Sequence, residues 1–91
     1  MVKIVKFGVA VLNDDRNSFN HVIDTFQEVF CWDITQAHNC ANIIHNKGEI
    51  VVKWFDYEKT ALYIAELLRS RGLSTKIIID RDAEIDQEDV F

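Results

Sequence analysis

The stretch Val5-Lys6-Phe7-Gly8-Val9-Ala10-Val11-Leu12-Asn13-Asp14-Asp15 decides how this chain is read. Val5, Phe7, Val9 and Val11 alternate with Lys6, Gly8 and Ala10, the period of a strand buried on one face. Asn13-Asp14-Asp15 is a polar stop. Asn17 or Ser18 can cap the next helix. Phe19, Val22, Ile23, Phe26, Val29 and Phe30 recur at i, i+3, i+4 and i+7, so that helix is predicted over residues 18–30. Asp33 is a plausible N-cap for a second helix, whose apolar face carries Ile34, Ala37, Ala41 and Ile44. Asn46-Lys47-Gly48 ends that helix, because Gly48 can take the left-handed conformation that closes it.

Further along, Ile50 to Phe55 reads as a strand with Lys53 facing water. Asp56 can cap a third helix, with Tyr57, Ala61, Ile64, Ala65 and Leu68 on its buried face and Gly72 as terminator. Thr75 to Ile79 is the last strand. The order β-α-α-β-α-β predicts an α+β domain over residues 1–80, with a three-stranded, largely antiparallel sheet covered by three helices. Residues 81–91 are expected to be an acidic, flexible tail.

Composition narrows the function classes. The 91 residues are 48% hydrophobic and include ten aromatics, enough for a small core and too apolar for a disordered chain. There is no proline and there are only three glycines, which favours regular elements. No stretch approaches the ~18 apolar residues of a membrane span. Lys3 and Lys6 interrupt the only segment that could imitate a signal peptide, so a cytoplasmic protein is expected. The net charge is −5, and residues 80–91 hold six acids against Arg81 alone. The rest is balanced, with no basic patch for nucleic acid. Cys31 and Cys40 are expected to be reduced core thiols.

Two segments could carry chemistry: Leu12-Asn13-Asp14-Asp15 and His45-Asn46-Lys47-Gly48. Ala41, Ile44 and His45 are three and four apart and share a helix face. If the second helix lies beside the end of the first strand, an apolar hollow forms whose mouth carries Asn13, Asp14 and His45. An N-terminal ammonium offers three donors, and a carboxylate, an amide oxygen and a neutral imidazole nitrogen would supply three acceptors. One charge-assisted hydrogen bond contributes roughly 1.5–3 kcal/mol. Burying the first side chain of a peptide adds about 1.5–3 kcal/mol. Micromolar affinity needs about 8 kcal/mol, so charge and apolar side chain are both required. Taken singly, each feature has a plainer reading. Asn-Asp-Asp after a strand makes a turn and a cap. A histidine near a helix C-terminus suits the dipole, and Ala41 fills a core. His38, Cys40 and His45 match no zinc spacing, and no nucleophile–base arrangement is indicated, so neither metal, cofactor nor enzyme activity is expected.

Taken together, Leu12-Asn13-Asp14-Asp15, Val22-Ile23-Asp24, Phe30, Ala37 and His45-Asn46-Lys47-Gly48 fall in one register that resembles the ClpS family of Clp protease adaptors, over roughly residues 5–80. The resemblance implies a non-enzymatic adaptor of the N-end rule. Such a protein binds substrates by a large hydrophobic first residue with a free α-amine. It then delivers them to the N-terminal domain of a Clp AAA+ ATPase of the ClpA or ClpC type. It implies that Asn13, Asp14 and His45 hold the α-amine, with Asp15 at the border. Asn17, Phe19, Val22, Ala41 and Ile44 would line the side-chain pocket, and Glu58, with Tyr63 where the family has a lysine, would meet the ATPase. Ala41 replaces a bulky gatekeeper and Phe19 a methionine, so β-branched first residues are expected to be tolerated as well. Asn17-Ser18 stands where the family has Thr-Pro, and only about four residues precede the first strand. Two alternatives remain: a module of this fold that sequesters degrons without delivery, and an unrelated interaction domain such as the ribosomal stalk protein's C-terminal domain.

Overall fold

A computed structural model describes residues 2–85. The elements are β1 (Val2–Leu12), α1 (Phe19–Phe30), α2 (Ile34–Lys47), β2 (Glu49–Phe55), α3 (Glu58–Ser70) and β3 (Ser74–Ile85). They form the predicted β-α-α-β-α-β domain. The sheet order is β2-β1-β3, and both pairings are antiparallel.

The central place of β1 explains a departure from its one-sided pattern. Gly8, Val9, Ala10 and Val11 are all buried, where alternation predicted one covered face. Val9 and Val11 join the core beneath the helices. Gly8 lies against the opposite side: a Cβ there would sit 2.9 Å from the Trp54 ring and 3.0 Å from Val51 Cγ1. Glycine is needed at this close approach. Pairing with β2 slips between Val9 and Ala10, where Val52 is the extra residue of a bulge.

The caps follow the sequence closely at the first two helices. Ser18, not Asn17, caps α1 by accepting from the His21 N–H at 3.1 Å, and Asp33 caps α2 by accepting from the Gln36 N–H at 2.8 Å. Gly48, at φ 95°, closes α2 with its N–H donating to the Ile44 carbonyl at 2.9 Å. The third helix differs. Asp56 makes no cap; it pairs with Lys6 of β1, and the cap position is Tyr57, without a side-chain bond. Tyr57 is 72% exposed rather than core, because it precedes the first turn of α3. Ile34 is likewise exposed, at the very start of α2.

α3 lies along the sheet, while α1 and α2 pack on each other and α2 flanks β2. Phe26, Leu68, Val9 and Val11 are fully buried at the centre. Phe26, Phe30 and Trp32 form an aromatic cluster at the α1–α2 turn, with the Phe30 and Trp32 rings stacked at 4.8 Å. Between the latter two sits Cys31, exposed and at φ 56°, a helix terminator rather than a core thiol. Cys40 is half-buried, and burial pushes its thiol up, away from the reactive thiolate. β3 continues to Ile85, pairing with β1 as far as Val2. The expected tail boundary at residue 80 therefore falls inside a strand, and residues 86–91 lie outside the described residues. Among the described residues no helix is long and apolar enough to cross a membrane.

Candidate functional site

The end of β1 and the end of α2 are tied together by backbone. The Asn13 N–H donates to the Gly48 carbonyl at 2.8 Å, and Gly48 in turn closes α2 on Ile44. This link brings Asn13 beside His45, residues 32 positions apart in the chain. Between them opens a small hollow of about 40 Å³ lined by Asn13, Asn17, Phe19, Val22, Ala41, Ile44 and His45. That volume has room for about three waters.

Each wall has a local cause. Val22, Ala41 and Ile44 are buried and make an apolar floor from the facing stripes of α1 and α2. Asn13 and His45 are exposed at the rim. Phe19, the first residue of α1, is half-buried, its ring edge-on to two imidazoles of α2: His38 with centroids 5.1 Å apart, and His45 at 6.4 Å. Phe19 and the small Ala41 both border the hollow. All five side chains expected to line a pocket do so, together with two of the three expected at its mouth.

Asp14 and Asp15 are not among the lining residues. Asp14 Oδ1 accepts from the backbone N–H groups of Arg16 and Asn17, both at 3.0 Å, and from Asn17 Nδ2 at 2.9 Å. Asp14 Oδ2 accepts from Asn17 Nδ2 and from the Ser74 hydroxyl, both at 2.8 Å. Burial pushes this carboxyl up, but the bonds from Ser74, from the Asn17 amide and from the two backbone groups outweigh it and hold the carboxyl below its ordinary value. Its charge therefore stands immediately behind the hollow's wall. Ser74 and the Gly72 carbonyl, which accepts from Asn17 Nδ2 at 2.8 Å, are parts of the site that local sequence patterns did not reveal. Their contacts span 55 and 60 positions.

Glu58 lies in the first turn of α3 and Tyr63 is 67% exposed on the same helix, beside Leu62. This surface is separate from the hollow. Among the described residues no three His, Cys, Asp or Glu side chains are placed to hold a metal ion.

The candidate site thus combines an apolar floor, a rim carrying an amide and an imidazole, and a half-buried carboxylate behind it. The model of the ATP-dependent Clp protease adaptor protein ClpS matches residues 4–76, and this chain belongs to the ClpS family of adaptors in Clp proteolysis. Among solved structures, Agrobacterium tumefaciens ClpS2 bound to L-phenylalaninamide has the same fold, with a TM-score of 0.67 and 21% identity. The match covers 82% of this chain and 96% of that one. No curated protein matches the chain.

Proposed function

We propose that this protein is a receptor for N-terminal degrons that passes its substrates to a Clp AAA+ ATPase. The observation that carries the reading is the hollow itself. It joins a floor of Val22, Ala41 and Ile44 to acceptors on Asn13 and His45, in a chain of the ClpS family. The ligand in the Agrobacterium structure has the matching chemistry: a free α-amine, an aromatic side chain and a capped carboxyl, the end of a peptide reduced to one residue.

In this reading the Asn13 amide oxygen and a ring nitrogen of His45 accept from the α-ammonium. Asp14, engaged with Asn17 and Ser74, contributes its negative charge from behind the wall, where a partly desolvated site weakens the screening of that charge. Asp15 borders the site. The first side chain enters over Ala41, and an aromatic or leucine side chain exceeds the free volume, so the Phe19 ring turns aside on binding. A small residue at 41 leaves room near the β-carbon, so Ile and Val are accepted beside Leu, Phe, Tyr and Trp. Delivery runs through the exposed N-terminal half of α3, with Glu58 and Tyr63 meeting the N-terminal domain of a ClpA- or ClpC-type ATPase in the cytoplasm. The protein acts by binding, not by catalysis.

Chemical-shift mapping tests the site. L-phenylalaninamide should shift the side-chain amides of Asn13 and Asn17 and the backbone of Ala41 and Ile44, and N-acetyl-phenylalaninamide should not. Equal shifts from both compounds would refute recognition of the amine. Co-purification with a Clp N-terminal domain, weakened by Glu58→Ala, tests delivery; degron binding without any such association would instead indicate sequestration.

A further inference from the structure

The turn between α3 and β3 is fastened to the candidate site at several points. The Ser74 hydroxyl donates to Asp14 Oδ2 at 2.8 Å. Asn17 Nδ2 donates to both Asp14 oxygens, at 2.9 and 2.8 Å, and to the Gly72 carbonyl at 2.8 Å. One residue earlier, His21 Nε2 lies 2.7 Å from the Arg71 carbonyl, and the Arg71 guanidinium pairs with Glu28 of α1. Of all these residues only Asn17 lines the hollow.

The chemistry of the amide makes this arrangement directional. A primary amide has two N–H donors and one acceptor oxygen. In Asn17 the donors are spent on Asp14 and on Gly72. The flipped amide would turn its oxygen toward a carboxylate and a carbonyl, both of which repel it. One orientation is thereby selected, and the Asn17 amide oxygen has no hydrogen-bond partner among the described residues. The one polar atom that Asn17 has left to offer is an acceptor. A peptide's N-terminal end presents only donors at that point: the ammonium and the following backbone N–H.

Among the described residues, Ser74 is the one donor that reaches this carboxylate from across the chain. The backbone groups of Arg16 and Asn17 both bind Oδ1, which leaves Oδ2 to the Asn17 amide and the Ser74 hydroxyl. Without that hydroxyl Oδ2 keeps only the Asn17 amide, so the carboxylate is held firmly at Oδ1 alone and fixes the Asn17 amide less tightly.

We propose that Ser74 is a positioning residue of the peptide site: its hydroxyl holds the Asp14 carboxylate against Asn17, and Asn17 so held presents its amide oxygen to the N–H donors of a bound peptide end. This rests on reading the hollow as a site for free N-termini. It also ties the site to the end of α3, since Ser74 opens β3 just past the turn that closes that helix.

The test compares the native protein with Ser74→Ala and Ser74→Thr. Two quantities are read: affinity for a peptide beginning with Phe, beside its N-acetylated form, and the titration of the Asp14 side-chain carboxyl followed by NMR in the free protein. Other charged or titratable groups on the surrounding elements are Asp15 and Arg16 of the same loop, His21 of α1, Arg71 of the α3–β3 turn and His45 of α2. They are unchanged in all three proteins. Ser74→Ala should bind about tenfold more weakly while Ser74→Thr, which keeps the hydroxyl, stays within about twofold of native. Asp14 should titrate at higher pH in Ser74→Ala than in the other two. Native-like affinity in Ser74→Ala, equal loss in Ser74→Thr, or an unmoved Asp14 titration would overturn the proposal. If Ser74→Ala does not fold, Ser74→Cys, a weaker donor, should lie between native and lost binding, and native affinity there would overturn it. A native protein that binds neither peptide form would refute the site reading, and the role of Ser74 with it. Native binding that Ser74→Ala leaves intact would refute the role of Ser74 alone.

Discussion

Two hollows lie side by side along α2, and they differ in a way that matters more than size. The larger, about 220 Å³, is lined by Ile34, Thr35, His38 and Asn39, all from the first turns of one helix. The smaller, about 40 Å³, draws on the end of β1, the start of α1 and the second half of α2. Its walls are set by bonds that run between elements: Asn13 to Gly48, Asn17 to Gly72 and Asp14 to Ser74. Side chains on one exposed helix face keep their rotamer freedom and bind little. Asn17 and Asp14, held by bonds across the chain, have already lost much of it, whereas in the proposed reading the Phe19 ring still turns aside for a ligand. The Phe19–His38 contact joins a residue of the smaller hollow to one of the larger.

The most damaging change should be Asp14→Ala. It removes the acceptor for two backbone N–H groups, an amide and a hydroxyl, and is expected to cost about 2–3 kcal/mol in stability and to abolish measurable degron binding. Urea unfolding and peptide binding on the same variant would check both. A variant as stable and as tight as native would mean that the network does not organise the small hollow.

Next comes a contrast between two histidines on one helix. His45→Ala should weaken binding by about 10–100-fold, the loss of one charge-assisted bond, with the fold intact because the side chain is exposed. His38→Ala touches the site only through the Phe19 ring, an edge contact of about 0.5–1.5 kcal/mol, and should weaken binding no more than about tenfold. Equal losses at the two positions would erase the distinction between the hollows.

Acid should act on the small hollow through Asp14. Its folded-state pKa is depressed, so its contribution to stability is fully present above the unfolded value of about 3.9 and is lost as pH falls through the lower folded value. Stability measured from pH 5 downward should therefore fall more gently in Ser74→Ala than in the native protein. Identical slopes would show that the Ser74 bond does not contribute to the depression.

The smallest effect is expected at the turn leading to the larger hollow. Cys31 holds a left-handed conformation at φ 56° that costs a side-chain-bearing residue about 1–2 kcal/mol. Cys31→Gly should raise stability by about 0.5–1 kcal/mol and leave degron affinity unchanged. A loss of stability would mean that the Cys31 side chain contributes more than its backbone costs.

Much of the fold is legible because its signals are local. Ser18, Asp33 and Gly48 act at the ends of the helices they were expected to cap or close. The seven residues around the small hollow are legible for a related reason: Phe19 and Val22, then Ala41, Ile44 and His45, sit at helical spacings on faces that must meet once α1 and α2 pair. What local pattern could not supply is contact across the chain. Asp56 is an ordinary cap by sequence but is drawn to Lys6, and Ser74 and Gly72 carry no signal of their role until β3 is placed beside β1. The two-sided burial of Gly8 to Val11 likewise depends on β1 being the middle strand, with Trp54 laid across it.

The central claim is that the small hollow receives a free N-terminus, and fluorescence anisotropy with one peptide in four forms tests it most directly. The first residue is Phe, Leu or Ile, with N-acetylated Phe as the control. Micromolar or tighter binding of the three free-amine forms, with none of the acetylated one, is the predicted result, and loss of the Ile form alone in Ala41→Met would place its side chain over Ala41. Equal binding of the acetylated and free peptides, or binding of neither, would contradict the account.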